Sequence, residues 1–265
     1  MGKALVIEGL QVANPLCVVT IGDVTPDKVL ANYLSANTSI SETEKTALKA
    51  MVGTFIDNNL WSKIKVMLPL CGSSASDMLI DAVNPGGTII ANASRYSVDD
   101  NKLKFASAYS SSDVGTFSTE ISLNLSIYFG CKHTYPTQNC RVINLSTDNN
   151  QEIEFEVING GNRQPSLSVG DTLIKASTLL NAENRLLCAK LEASSASLYC
   201  NNQLLVEGDC SPDGSKVKDC FNFSVAPSSV MWATFMCIAN NLTSDEEVIM
   251  YNAIDTFLTT IGKRA

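Results

Sequence analysis

Residues 59 to 72 read "NLWSKIKVMLPLCG", and this passage decides what kind of chain surrounds it. Ile64, Val66, Leu68 and Leu70 fall on one side and Lys63, Lys65 and Met67 on the other, the period of a strand that opens at Trp61. Pro69 lacks the N–H that a ladder needs, which predicts an edge strand or the end of regular pairing, and Gly72 suits the following turn. Just upstream the period is helical. "SETE" at Ser41–Glu44 is a capping box, and Ala47, Leu48, Met51, Val52, Phe55 and Ile56 recur at helical steps until Asn58 and Asn59. The quoted stretch is therefore a helix handing over to the first strand of a β-domain.

From Trp61 to about Asn241, short strand-like runs such as "EISLNLSIYF", "EIEFEVI", "NRLLCAKL" and "VMWATFMCIA" are parted by Ser, Asn, Gly and Asp clusters. With no helical run between them, the spacing predicts an antiparallel sandwich or barrel. "SLYCNNQLLVEG" reads as a hairpin, with Asn201 and Asn202 in a two-residue turn that Asn tolerates through its left-handed conformation. Near the C-terminus, Ser244–Glu247 reads as a second capping box, followed by a stripe of Val248, Tyr251, Ile254, Leu258 and Ile261 before Gly262. At the other end, "ALVI" and "LCVVTI" are two apolar strands parted by Asn14 and Pro15. A short helix follows, capped by Thr25, opened by Pro26 and faced by Val29, Leu30, Tyr33 and Leu34.

Composition limits the function. The 265 residues are 45% hydrophobic, enough for a sizeable core, and the net charge of -8 with no basic stripe argues against a nucleic-acid partner. No apolar run approaches the roughly 20 residues of a membrane helix, and "MGKALVIEGL" lacks the apolar run of a secretory signal, so neither membrane insertion nor export is expected. Nine scattered cysteines without a CxxC read as buried thiols, although Cys131 with Cys140, or Cys210 with Cys220, are spaced to clasp a loop in an oxidising medium. The single histidine, His133, leaves no metal cluster and no Ser/His/Asp set, and no cofactor is implied.

The order of helix, "LWSKIKVMLPLCG", "NPGG" at Asn84–Gly87, many strands, "LYCNNQLL" and "LTSDEEVIMYNAIDTFLTTIG" resembles the concanavalin-like jelly-roll domain of fibre proteins from phages of gut Bacteroidales, crAss-like phages included. The likeness covers about residues 40 to 262, and Trp61, Ser62 and Lys63 with Pro69, Gly72 and the acidic closing helix are its more specific parts. It implies a mainly β chain: an N-terminal attachment and oligomerisation segment at 1–40, then at 41–265 a helix and a jelly roll closed by helix 244–261. It also implies a structural, non-enzymatic virion protein, a head fibre, tail fibre or capsid decoration, in a particle assembled in the bacterial cytoplasm. Its partners would be other virion proteins and further copies of itself, as a dimer or trimer. Leu5, Ile7, Pro15, Val18 and Val19 mark the attachment segment, whose strands either complete another protein's sheet or pair within their own domain.

Two other readings attach to particular residues. The loop "CKHTYPTQNC" sets His133, Tyr135, Gln138 and Asn139 on one short span, the ring-plus-amide chemistry that a cell-surface glycan would meet. "EIEFE" at Glu152–Glu156 resembles the "EIDFE" active-site strand of laminarinase-type glycoside hydrolases, which would make Glu152 the nucleophile, Glu156 the acid/base and Glu154 their tuning partner, with Glu where that family has Asp. Retaining hydrolysis needs carboxyl groups about 5 Å apart, whereas strand positions four apart are about 13 Å apart. Plain alternation accounts for the same letters, with Ile153, Phe155 and Val157 facing the core and the three glutamates facing water. The closing stripe needs cover on the sandwich or on the Ser41–Asn58 helix. Truncation after Asn241 is thus expected to give an insoluble or markedly destabilised protein, and an unchanged melting curve would count against that docking.

Overall fold

The computed structural model describes residues 24–86, 96–105, 114–116, 120–134, 140–159, 164–177, 185–223 and 230–264. The attachment residues Leu5, Ile7, Pro15, Val18 and Val19 lie outside them. Helix α1 (Pro26–Ala36) starts as its sequence requires, with the Thr25 side chain accepting from Lys28 N. Helix α2 (Glu42–Asp57) carries the complete Ser41/Glu44 capping box.

Two antiparallel sheets follow. The first holds β1 (Ile64–Leu68), β2 (Tyr96–Asp99), β3 (Lys102–Phe105), β6 (Leu125–Thr134), β11 (Arg185–Leu191), β12 (Ser195–Cys200), β13 (Gln203–Asp209) and β15 (Val230–Asn240). Its order is β13-β12-β11-β6-β15-β3-β2, with β1 pairing the other half of β15. The second holds β4 (Val114–Thr116), β5 (Ile121–Ser122), β7 (Cys140–Thr147), β8 (Glu152–Asn159), β9 (Gln164–Val169), β10 (Thr172–Lys175) and β14 (Lys216–Phe223), in the order β10-β9-β8-β7-β14-β4, with β5 also on β14. A short helix α3 (Ala75–Met78) interrupts the expected run of strands, and α4 (Ser244–Thr260) closes the described chain.

The sheets face each other across a core that includes Val66, Leu68, Ile127, Phe129, Ile153, Phe155, Val157, Leu187, Met236 and Ile238. The first sheet's other face carries a second core, where Ile64, Met67, Tyr128, Phe235 and Cys237 meet α1, α2 and α4. Being covered on both faces explains why β15 and β11 read as largely apolar runs without clean alternation.

Several expectations are refined by this arrangement. β1 is an edge strand ending before Pro69, as its sequence predicts, but Trp61–Lys63 forms a 3-10 turn and pairing begins at Ile64. A bulge between Ile64 and Val66 turns Ile64 to the helical side with Met67, leaving Val66, Leu68 and Leu70 for the sandwich. The second capping box sits one residue earlier than expected, on Thr243 and Glu246. α4 does dock on α2 and the sheet, yet through Met250, Ala253, Ile254, Phe257, Leu258 and Ile261, while Val248 is 45% exposed and Tyr251 half-buried. Glu247 lies towards the sheet, where its carboxylate accepts from Ser126 Oγ at 2.9 Å and pairs with Lys190 at 3.4 Å. Asn201 and Asn202 both take positive φ in the β12–β13 turn, as predicted. Cys131 and Cys210 are free and buried, which sets aside the loop clasps proposed for them.

One buried group sets a pH dependence. Asp81, 2% exposed, accepts from Met67 N at 2.9 Å and Val83 N at 3.0 Å, so it ties the α3 segment to β1. Burial pushes its carboxyl up to about 6. The folded state then holds a proton that the unfolded state has released, so between about pH 4 and 6 this group's contribution falls as pH rises. Asp81→Asn keeps the accepting oxygen and removes the titration. Across that window, wild type is expected to lose on the order of 2–3 kcal/mol relative to Asp81→Asn, read by urea melts at each pH. A constant gap between the two would show that Asp81 does not titrate there.

Candidate functional site

Strand β8 places the three glutamates on the outer face of the second sheet, because Ile153, Phe155 and Val157 take the inner one. Its register against β9 is regular from Ile153 to Glu156. Against β7 the register slips between Cys140 and Arg141 and again between Arg141 and Ile143, and the irregularity on β8 itself falls beyond Glu156, before Asn159. No kink in β8 therefore draws Glu152 and Glu156 together, and at about 3.3 Å per residue their backbones stay about 13 Å apart.

Their surroundings differ. Glu152 is exposed, and Glu154 is half-buried, accepting from Asn144 Nδ2 at 3.1 Å. Glu156 is only 2% exposed, against the expectation that all three face water, and it accepts from the buried Ser166 Oγ at 3.1 Å. Alternation decides which face a side chain points to, but not how deeply that face is covered. Glu156 lies across from Ser166 on β9, which is itself fully buried.

His133 is on β6, opposite Met231 of β15. Tyr135, Gln138 and Asn139 lie outside the described residues. The loop span thus starts on the strand neighbouring an aromatic group that sequence reading passed over. Trp232 on β15 is the residue in question. Met231 and Ala233 point into the sandwich, so Trp232 points to the opposite face. A bulge between Ala233 and Phe235 then resets the phase and gives Phe235 that same face, under the helices. The bulge brings Thr234 against Gly130, where an added Cβ would sit 2.4 Å from Thr234 Oγ1.

Trp232 remains partly exposed in a cross-strand row with Lys104 on β3 and Lys132 on β6. Their ammonium groups lie 5.6 and 5.9 Å from the indole centroid, at cation–π range. The indole N–H donates to Asp99 Oδ2 at 3.1 Å, and Lys104 Nζ pairs with the same oxygen at 3.2 Å. Those two contacts, the indole first, hold Asp99 below its ordinary value. A partly exposed ring beside charged donors and a carboxylate is suited to hold a sugar ring by its face and its hydroxyls. The signal was available in "VMWATF", where a tryptophan with a polar N–H stands in a largely apolar run. Among the described residues no group of three His, Cys, Asp or Glu is placed to hold a metal ion. A groove of about 870 Å³ between α2 and α4, lined by Ala50, Met51, Ile249 and Phe257, contains none of these candidates.

No protein-family model matches the chain, and no curated protein matches it. Solved structures do. The binding domain of botulinum neurotoxin DC in complex with SialylT superposes with a TM-score of 0.52 at 11% identity, over 73% of this chain and 52% of that one. The botulinum neurotoxin serotype D/C VPI 5993 binding domain gives 0.50 at 12%, over 73% and 53%. The Crh5 transglycosylase in complex with NAG gives 0.47 at 12%, over 69% and 86%. The chain thus spans about half the length of the neurotoxin chains. With the two facing antiparallel sheets, the neurotoxin likenesses show the fold alone, a concanavalin-like jelly-roll sandwich.

Structure and catalysis make different demands on β8. If Glu156 serves the fold, Glu156→Ala removes the carboxylate that accepts from the buried Ser166 hydroxyl and is expected to cost about 1–3 kcal/mol, while exposed Glu152→Ala stays within about 0.5 kcal/mol. Denaturant melts of the two variants check this, and equal stabilities would refute a structural role for Glu156.

Proposed function

We propose that this chain is a virion structural protein of a phage, a fibre or decoration, whose jelly roll is displayed outward and acts by binding glycan, without hydrolysing it. The observation that carries the binding part is the partly exposed Trp232 between Lys104 and Lys132, with Asp99 at its indole N–H. The fold supports a binding role, since neighbours of the same fold include binding domains. The virion part is supported by the resemblance of the Trp61–Gly72 block and the closing helix to phage fibre proteins. In this reading residues 1–40 attach the chain to the particle and to further copies of itself.

The separation and unlike burial of Glu152 and Glu156 argue for binding over the laminarinase-like alternative. A pair that splits a glycosidic bond must reach one anomeric centre from about 5 Å apart. Here one carboxylate is in water and the other is hydrogen-bonded inside the sheet.

Three measurements test the proposal together. The full chain on a glycan array is expected to retain ligands that Trp232→Ala loses at least tenfold. Incubation with β-1,3-glucan is expected to release no sugar. Deletion of residues 1–24 is expected to leave a folded jelly roll that no longer self-associates or enters particles. Hydrolysis that disappears in Glu152→Gln would overturn the binding role, and normal assembly of the deleted chain would overturn the attachment role.

A further inference from the structure

A second concave site lies at one end of the sandwich, where both sheets contribute. It is a pocket of about 430 Å³ between the start of β1, the end of β15, β5 and the start of β14. That volume is in the range of small-ligand sites. Lys63, Lys65 and Lys216 line it, with Ser122, Asn240 and Asn241.

Two of the three ammonium groups are already matched. Lys63 Nζ donates to both oxygens of Glu246 at 2.7 Å and to the Asn241 carbonyl at 3.0 Å. Lys216 pairs with Glu120, which also lines the pocket. Lys65 is half-buried and has no ion-pair partner among the described residues. On a chain of net charge -8 this leaves a local excess of positive charge inside a cavity, where field lines are focused.

The second observation is an unused acceptor. Asn240 lines the same pocket and is 3% exposed. Its Nδ2 donates to the Ser122 carbonyl at 3.0 Å, Ser122 Oγ at 2.8 Å and the Asn124 carbonyl at 2.9 Å. Two of those partners are carbonyls that only accept, so the amide cannot be turned round. Its Oδ1 has no hydrogen-bond partner among the described residues. A buried amide oxygen left this way costs free energy until a donor reaches it. The pocket therefore offers one uncompensated cation and one unsatisfied acceptor, a pairing that calls for a ligand bearing both an anionic group and hydroxyl donors.

We infer that this pocket binds an acidic sugar residue, its carboxylate on Lys65 and a ring hydroxyl donating to Asn240 Oδ1. The inference deepens the glycan-binding reading but depends on a different part of the surface from Trp232. The probe is glucuronate, titrated into the full-length protein and followed by amide chemical shifts. Shifts are expected at Lys65, Ser122, Asn240 and Asn241, with binding at least tenfold weaker for Lys65→Met, recovered in Lys65→Arg, and at least tenfold weaker for glucose on the wild type. Trp232→Ala is expected to leave glucuronate binding unchanged, so array ligands retained by Trp232→Ala, with glucuronate still bound, would reject only the indole platform. Inorganic sulfate matching glucuronate in affinity would mean an adventitious anion only and would overturn the sugar assignment. An absence of shifts at these residues would overturn the site.

Discussion

The carboxylate of Glu44 holds together three parts of the chain that are far apart in sequence. One oxygen accepts from Ser41 N at 2.9 Å and Ser41 Oγ at 2.8 Å, which starts α2. The other accepts from Gly72 N at 3.2 Å, in the turn that leaves β1, and faces Lys263 Nζ at 3.8 Å. Lys263, its side chain fully buried, donates in turn to the Leu70 carbonyl. Burial pushes its ammonium down from the ordinary lysine value. Breaking a buried pair from one side costs about 3–5 kcal/mol, a large part of the 5–15 kcal/mol that a domain possesses.

The turn needs this clamp because its backbone is unusual. Leu70 and Gly72 both have positive φ, at 52° and 101°. A Cβ at Gly72 would fall 2.7 Å from Ser39 Oγ and 3.0 Å from Asn37 Oδ1. Asn37 Nδ2 completes the clamp by donating to the Cys71 carbonyl at 3.1 Å and to Tyr33 Oη at 3.0 Å. Cys71, its thiol pushed up to about 12 by burial, is packing material and not a nucleophile. So the helical layer and the edge strand are locked together, and the first sheet can bury both faces while the second keeps one face for solvent.

Much of this was legible in letters, and the exceptions have physical causes. Short-range chemistry reads well. Thr25, the Ser41/Glu44 box and the Asn201–Asn202 turn each depend on residues a few positions apart, and each is as expected. Where a bulge intervenes, alternation fails: Ile64 and Trp232 sit on faces that a period of two, counted through the strand, does not assign. Burial depth is less legible still. Glu156 and Glu247 are turned inward by partners on other strands, Ser166, Ser126 and Lys190. The glycan candidates were sought in a polar loop, although the ring with charged neighbours is on the adjacent strand, assembled from β2, β3, β6 and β15.

The place of β15 in the first sheet has a consequence for how the chain acquires its shape. Residues 230 to 240 lie between β6 on one side and β3 and β1 on the other, so a strand formed late in the chain is the central plank of a sheet whose edge strand begins at residue 64. During synthesis β6, β11, β12 and β13 can pair with one another and β2 with β3, but β1 has no partner in that sheet, and the two groups stay unjoined, until more than two hundred residues have left the ribosome. Long-range closure of this kind is slow, and it leaves apolar strand edges waiting in the meantime.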